Sequence, residues 1–172
     1  VTMLNAWSYG YPRRVLVLEE ATNVIISNLT ITGGRGNWVE RGGGIYILNS
    51  NPVIANVKIS GNEGDYGGGM YLFYSNPILI NVTIANNTGD VGGVMQLTYS
   101  NTSLTNVIII NNTANNGGGM YLNYSDPTLT NVTISENVAN GGGGMYISGN
   151  SNPIMTDVTI SENVANSNGG GM

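Results

Sequence analysis

Gly67-Gly68-Gly69-Met70-Tyr71-Leu72 is the stretch that decides the fold, because copies of it return at nearly constant spacing. The copies begin at Gly42, Gly67, Gly92, Gly117, Gly142 and Gly169. They are 25, 25, 25, 25 and 27 residues apart. A period of this length is typical of stacked supersecondary units, so the chain is predicted to grow by adding coils and not by enlarging one core.

Each repeat contains three short segments in which apolar and polar residues alternate, as they do in β-strands. In the repeat that begins at Gly67, Met70 and Leu72, then Leu79, then Val82 and Ile84 are predicted to point inward. Ile147 is the predicted inward equivalent of Leu72 in the repeat that begins at Gly142. The residue between the Met70 and Leu72 positions forms a further column in successive repeats. Since this column contains Gln96, it is predicted to face water. Its members are Tyr46, Tyr71, Gln96, Tyr121 and Tyr146.

These segments predict an all-β fold, a right-handed parallel β-helix with about 25 residues and three short strands per coil. A leucine-rich repeat has a similar period, but its helix needs an apolar stripe where this chain has Gly-Gly-Gly and Asn-Pro. Residues 1–41 are predicted to form an N-terminal start or cap with the first coils. Residues 42–172 are predicted to be the repeats, with an unfinished C-terminal end.

The composition excludes several classes of partner. The net charge is -5, and the five basic residues all precede residue 59. Nucleic acid and anionic lipid are bound through clustered Lys and Arg, so neither is expected as a partner. No apolar run is long enough to span a membrane, and no membrane insertion is expected. Cys and His are absent, which removes thiolate sites and the commonest general base.

Two columns of asparagine recur at predicted corners. Stacked asparagines tolerate a left-handed backbone and pass amide hydrogen bonds from coil to coil, so both columns are interpreted as structural ladders. The first column contains Asn56, Asn81, Asn106, Asn131 and Asp157, and the second contains Asn62, Asn87, Asn112, Asn137 and Asn163. The glycine triplets precede no helix and lack the lysine of a phosphate-binding loop. They are expected to provide positive φ angles or close approach of neighbouring coils.

The Gly-Gly-Gly-x units paired with Ile-x-x-Asn units, such as Ile84 to Asn87, resemble the repeats of chlamydial polymorphic outer-membrane proteins. The Pro-x-Leu-x-Asn-Val-Thr-Ile pattern is similar to repeats of large secreted and surface-anchored β-helix proteins of bacteria and archaea. The resemblance covers about residues 20–172. It implies a β-helix and an adhesive or structural role outside the cell or at its surface. The chain departs from the chlamydial motif by having Ile in place of Phe.

A pectinase-like enzyme is the catalytic alternative. Asp65 with Asp90, and Glu136 with Glu162, occupy equivalent places in adjacent coils and could bind calcium or act as acid and base. The same columns continue as asparagine, which is typical of solvated turns. The polygalacturonase signatures are missing, and no Lys or Arg follows Lys58 to act as a lyase base. No catalytic residue, metal site or cofactor is therefore predicted.

Two tyrosine ladders form the candidate binding surface, on which sugar rings or another protein could stack. Alternatively, the stacked rings only stabilise neighbouring coils. The candidate residues are Tyr46, Tyr71, Tyr121 and Tyr146 in one ladder, and Tyr74, Tyr99 and Tyr124 in the other.

Seven Asn-x-Ser/Thr acceptors are present. Asn81 and Asn131 also belong to a predicted ladder and are expected to be buried and unmodified. The remaining candidates for glycosylation are Asn28, Asn86, Asn101, Asn111 and Asn123.

The sequence therefore predicts a non-enzymatic structural or adhesive module of a secreted or cell-surface protein, in which stacking end to end on itself could form a fibre. Its expected partners are itself, or surface glycans or proteins. The alternative is a β-helix that binds or processes polysaccharide.

Overall fold

A computed structural model of the chain describes residues 2–5, 13–37 and 41–172. Within these residues there are eighteen strands and no helix. The strands are β1 (Thr2–Asn5), β2 (Leu16–Glu19), β3 (Ile25–Thr32), β4 (Ile45–Leu48), β5 (Val53–Ser60), β6 (Glu63–Tyr66), β7 (Met70–Phe73), β8 (Ile78–Ile80), β9 (Thr83–Ala85), β10 (Thr88–Gly92), β11 (Met95–Thr98), β12 (Ser103–Ile110), β13 (Met120–Asn123), β14 (Thr128–Ser135), β15 (Val138–Gly141), β16 (Met145–Ser148), β17 (Ile154–Ser161) and β18 (Val164–Asn168).

The strands pair in parallel and in register, so that equivalent residues of neighbouring coils lie side by side. Met95, for example, is opposite Met70 on one side and Met120 on the other. The short sheet has the order β16-β13-β11-β7-β4-β2, and the long sheet has the order β1-β3-β5-β8-β12-β14-β17 with β9 beside β5 and β12. The predicted parallel β-helix is confirmed. Because β2 pairs with β4 and β3 with β5, residues before 42 already belong to coils.

The second and third predicted segments join into one bent strand in most coils. In β5 the bend is at Asn56, whose φ is 55°, and the strand continues to Ser60. In the next coil the equivalent stretch is divided into β8 and β9 around Asn81. The left-handed residue turns the strand between two faces of the core, which explains how one strand contributes inward residues to both.

A fourth short strand is present in several coils, in addition to the three that the sequence predicts. β6 pairs with β10 and β15 pairs with β18, and isolated bridges at Thr113 link β10 to β15. Glycine and asparagine are poor strand formers, so the sequence pattern does not reveal these strands. Their backbone hydrogen bonds come from the neighbouring coils, as in the bond from Thr88 N to Asn62 O.

The inward columns form one continuous apolar core. Met70, Leu72, Leu79 and Ile84 are fully buried, as are their equivalents in the adjacent coils. Ile147 is an exception, because it lies in β16, the edge strand of the short sheet, and is 38% exposed.

The glycine triplets serve both predicted purposes. Gly67 has φ of +60°, a conformation that L side chains rarely adopt. A Cβ atom added to Gly68 would lie 2.0 Å from the carbonyl oxygen of Thr88, so a side chain there would push neighbouring coils apart. The first glycine therefore supplies the turn and the second permits the close stacking of coils.

The second asparagine column forms a buried ladder. Asn112 Nδ2 donates to Ile84 O at 3.0 Å and to Asn137 Oδ1 at 2.9 Å, while Asn112 Oδ1 accepts from Asn87 N at 2.9 Å. Each asparagine thus satisfies a backbone carbonyl and a backbone amide of the preceding coil and bonds to the asparagine of the next coil. The predicted left-handed backbone is not in this column. It belongs to the residue before each asparagine: Gly61, Asn86, Asn111, Glu136 and Glu162.

The first asparagine column forms a ladder on the outside of the bend, with φ angles between 52° and 55°. Asn81 Nδ2 donates to Asn56 Oδ1 at 3.1 Å, and Asn131 Nδ2 donates to Asn106 Oδ1 at 2.8 Å. The prediction that Asn81 and Asn131 are buried is wrong. Because the left-handed residue sits at the convex side of the corner, its side chain bonds along the surface and remains exposed.

We predict that N112D lowers the free energy of unfolding by about 3 kcal/mol or more, because it buries a carboxylate and removes both donated hydrogen bonds. The melting temperature, measured by circular dichroism, is expected to fall by roughly 6 to 12 °C. The control is N111E at the exposed neighbouring position, where Glu136 and Glu162 occur naturally. Equal melting temperatures for N112D and the wild type would contradict the structural role of the ladder.

We predict that D157N stabilises the protein. Each asparagine of the outer ladder donates through Nδ2 to the coil before it. Asp157, the last member, has no Nδ2 to donate. Within the described residues, Asn131 Oδ1 therefore accepts no hydrogen bond. The new amide is expected to add about 0.5 to 1 kcal/mol and to raise the melting temperature by about 2 °C. D126N is the matched control. It removes the same charge, but Asp126 lies outside the outer ladder and already accepts a hydrogen bond from Asn152 N. A stabilisation equal in both variants would indicate a charge effect and not a ladder effect.

Candidate binding surface

The first tyrosine ladder consists of two stacked pairs on the outer side of the short sheet. The rings of Tyr46 and Tyr71 are 5.9 Å apart and those of Tyr121 and Tyr146 are 5.2 Å apart, with interplanar angles of 4° and 3°. Gln96 separates the two pairs because it occupies the position between them in the register.

The prediction that this column faces water is wrong for its central members. Tyr71 is only 2% exposed and Gln96 only 7%. Their side chains point away from the core, but residues at the ends of β6 and β10 cover them. Tyr66 packs edge-on against Tyr71, and Gly92 lies directly over Gln96. Tyr71 therefore belongs to a second, partly polar layer and is not available to a ligand.

Arginines from the first coils complete this layer. The guanidinium of Arg14 lies 4.3 Å from the ring centre of Tyr46, and Arg41 Nη1 donates to Tyr71 Oη at 2.9 Å. Burial raises the pKa of Tyr46, and the nearby charge of Arg14 opposes this rise. The contacts with these arginines hold Tyr46 and Tyr71 in place and make this pair a packing element, whereas Tyr146 of the second pair is 37% exposed.

The second ladder remains on the surface, and we call it the tyrosine strip: Tyr74, Tyr99 and Tyr124. Adjacent rings are 5.0 and 5.1 Å apart and nearly parallel. The three side chains are 53%, 44% and 51% exposed. Because the rings stack on one another, the faces along the solenoid axis are shared, and mainly ring edges and hydroxyl groups are presented to solvent. This arrangement differs from the predicted flat platform for sugar rings.

The tyrosine strip is held in an unfavourable backbone conformation. Tyr74, Tyr99 and Tyr124 have φ angles of 48°, 50° and 49°. A left-handed conformation costs a residue with a bulky side chain about 1–2 kcal/mol, so three tyrosines cost about 3–6 kcal/mol in total. The ring contacts return about 2–6 kcal/mol, because Phe73 packs against Tyr74 and Tyr99 in addition to the two stacked tyrosine pairs. The equivalent corner in a neighbouring coil is Asn49, which tolerates this conformation better. The backbone cost and the return from ring contacts are of similar size, so tyrosine at these corners brings no clear gain in stability.

Beside the tyrosine strip runs a row of polar side chains that the sequence analysis did not single out. We call it the Asx row: Asn51, Asn76, Asn101, Asp126 and Asn152. The first four accept the backbone N–H of the next coil through Oδ1, as from Asn101 N to Asn76 Oδ1 at 2.6 Å. The recurring Tyr-Ser-Asn-Pro motif was the available signal, since its asparagine returns at the coil period. The row fixes exposed amide groups two residues after Tyr74 and Tyr99, and a carboxylate two residues after Tyr124.

The candidate carboxylates lie in the paired strands β6 and β10 and at one of the left-handed corners. Asp90 is exposed and accepts from Asn115 Nδ2 at 2.7 Å, and the register of β6 and β10 is irregular where Asp65 and Asp90 lie. Glu136 and Glu162 occupy the same exposed left-handed corner of adjacent coils. Within residues 2–5, 13–37 and 41–172, no group of three or more potential metal ligands is present.

Comparison with known families agrees with this geometry. The family described as the right-handed β-helix region matches residues 12–141. The chain belongs to the right-handed β-helix family. No curated protein and no solved structure gives a significant match to the chain. The membership confirms the predicted hand of the β-helix, and the more specific resemblance to chlamydial and surface-anchored repeats stays a prediction.

The described part of this β-helix contains no helix with the length and apolarity to cross a bilayer.

The predicted glycosylation acceptors differ in their availability. Asn28 belongs to the outer ladder, Asn101 to the Asx row, and Asn123 is half-buried beside Ser148. Asn86 and Asn111 are exposed, and neither side chain has a hydrogen-bond partner within the described residues. These two acceptors are the ones whose modification disturbs no ladder.

When the chain is secreted from a host that glycosylates Asn-x-Ser/Thr, we predict modification at Asn86 and Asn111 but not at Asn81 or Asn131. A glycan at Asn81 or Asn131 would replace one of the two hydrogens of the Nδ2 group that donates in the outer ladder and would crowd this bond. Mass spectrometry of peptides after enzymatic deglycosylation measures the occupancy of each acceptor. Comparable occupancy at Asn81 would show that the ladder does not protect it.

Proposed function

We propose that this right-handed β-helix is a non-enzymatic structural and adhesive repeat module of a secreted or cell-surface protein, and that the tyrosine strip is its contact surface. Right-handed β-helices include enzymes as well as non-catalytic proteins, so the proposal rests on the surface and not on the family. The observation that carries it is the set of three exposed tyrosines retained in left-handed conformation. Strained residues of this kind concentrate at functional sites.

The stack of coils itself supports a role in displaying the tyrosine strip to a partner. In-register coils and two continuous ladders give a stiff scaffold in which neighbouring tyrosines stay about 5 Å apart. A ligand that contacts all three rings therefore meets a surface that needs no ordering on binding, which lowers the entropic cost of association. The lack of basic residues beyond Lys58 and the exposed glycosylation acceptors favour a location outside the cell. End-to-end stacking into a fibre remains a separate prediction.

We predict that the triple variant Y74N/Y99N/Y124N keeps the fold and loses adhesion. Asparagine suits the left-handed corner, as Asn49 shows, so the melting temperature should stay the same or rise. Beads coated with the protein are passed over immobilised bacterial cells, mucin, cellulose and chitin in a flow chamber. Retention of wild-type beads on at least one surface, reduced about tenfold or more by the variant, is the expected result.

I108T is the matched control, because Ile108 is an exposed apolar residue of the long sheet whose column contains Thr83 and Thr133. Its beads should be retained like the wild type. Release of reducing or unsaturated sugars from these polymers is assayed in parallel. Sugar release would contradict the non-enzymatic assignment, and retention that is unchanged in the triple variant would contradict the role of the tyrosine strip.

A further inference from the structure

The groups that the tyrosine strip leaves free are polar as well as aromatic. Each interior ring face is shared with a neighbouring ring, so a ligand meets ring edges and a line of phenol hydroxyls. Hydroxyl groups both donate and accept hydrogen bonds. The strip can therefore bind a polymer that carries apolar C–H edges and hydroxyl groups in alternation.

The Asx row supplies fixed donors beside these hydroxyls. Because Asn76 Oδ1 and Asn101 Oδ1 accept backbone N–H groups at 2.6 and 2.7 Å, the orientation of each amide is set. The Nδ2 groups of both residues have no partner within the described residues, and both side chains are exposed. Two oriented amide donors thus accompany three phenols, and their geometry exists before any ligand arrives.

The charge around the tyrosine strip and the Asx row favours a neutral ligand over an anionic one. The five basic residues all lie in residues 13–58, and Asp126 is the one charged residue in the segments 73–78, 98–103 and 123–128 that form the corner. An anionic polysaccharide or a nucleic acid would find no opposite charge here and would meet a carboxylate. A neutral polymer meets no such penalty.

The spacing of the rings in the tyrosine strip distinguishes between a glycan and a peptide strand as the neutral ligand. Its rings recur every 5.0 to 5.1 Å along the solenoid axis. An extended polypeptide presents side chains on one face about every 6.6–6.8 Å, since its rise is about 3.3–3.4 Å per residue, so its side chains fall out of step with the rings. One sugar residue of an extended β-linked glycan has a length close to the ring spacing. The strip therefore matches a glycan and not a peptide strand.

We propose that the tyrosine strip, with the amides of Asn76 and Asn101, binds an extended neutral β-linked polysaccharide that runs along the solenoid axis with about one sugar residue per coil. This inference rests on the proposed adhesive function and names its ligand class. The ring edges contact the C–H groups of the sugars, the phenols and amides bond their hydroxyls, and the stacked coils fix the register.

Isothermal titration with β-1,4-linked gluco-, xylo- and N-acetylglucosamine oligosaccharides of increasing length tests the inference. In at least one series the affinity should rise until the chain covers three rings, at about three to four sugars, and then level off. Raising the salt from about 0.05 to 0.5 M should change it less than about twofold, because no charge pairs contribute. Y74N/Y99N/Y124N should bind no oligosaccharide, and I108T should bind like the wild type.

N101D is the sharper variant. A carboxylate oxygen still accepts the N–H of Asp126, as Asp126 itself does for Asn152, so the fold is retained while the outward donor is lost. We expect the affinity to fall about tenfold, the effect of losing one good hydrogen bond. Unchanged binding by N101D would remove the Asx row from the site.

The outcomes separate this inference from the proposed function. Absence of binding in all three series, or salt-sensitive binding to polygalacturonate or alginate instead, overturns the neutral-glycan assignment. If the triple variant still loses adhesion to cells or mucin in that case, the adhesive function stands with another partner. If neither adhesion nor oligosaccharide binding depends on the tyrosine strip, both proposals fail.

Discussion

In-register parallel pairing at the coil period is the constraint on which the rest of this structure depends. Each coil must return its backbone to the same position one strand spacing away, and it does so through left-handed residues at its corners. The first glycine of each triplet, the residues of the outer asparagine ladder and the residue before each buried asparagine have this conformation. The second glycine leaves no side chain between coils. Without these corners, equivalent residues of neighbouring coils would no longer lie side by side. The members of one column would then no longer share the same surroundings.

Register turns a local choice of residue into a property of the whole rod. An asparagine at one buried corner satisfies the backbone of the coil before it, and its own N–H groups find their acceptor only if the next coil also has an asparagine there. The same rule acts on the surface, where one tyrosine becomes a strip and one Asn-Pro turn becomes a row of oriented amides. A repetitive surface is thus a direct product of the fold, and a polymer with a matching repeat is its natural ligand.

The tyrosine strip and the first tyrosine ladder show how similar residues acquire different roles. Both are stacked at nearly the coil spacing, yet Tyr71 is enclosed by Tyr66 and Arg41 while Tyr99 stays in contact with solvent. Tyr71 and its stacking partner Tyr46 have ordinary strand geometry and contribute packing. The exposed strip is held against its backbone preference, and this difference is the physical reason for assigning binding to the strip.

The sequence by itself determined the coil period, the inward columns and the asparagine and glycine corners, because these follow from local alternation and from the backbone preferences of single residues. Tertiary structure alone decided what covers each outward column: strand alternation tells which side Tyr71 is on, but not that a turn strand of glycine and asparagine lies over it. It also decided that Asn81 is exposed and bonded along the ladder while Asn86 is exposed and free. Those outcomes depend on contacts between coils, which the alternation within one coil does not contain.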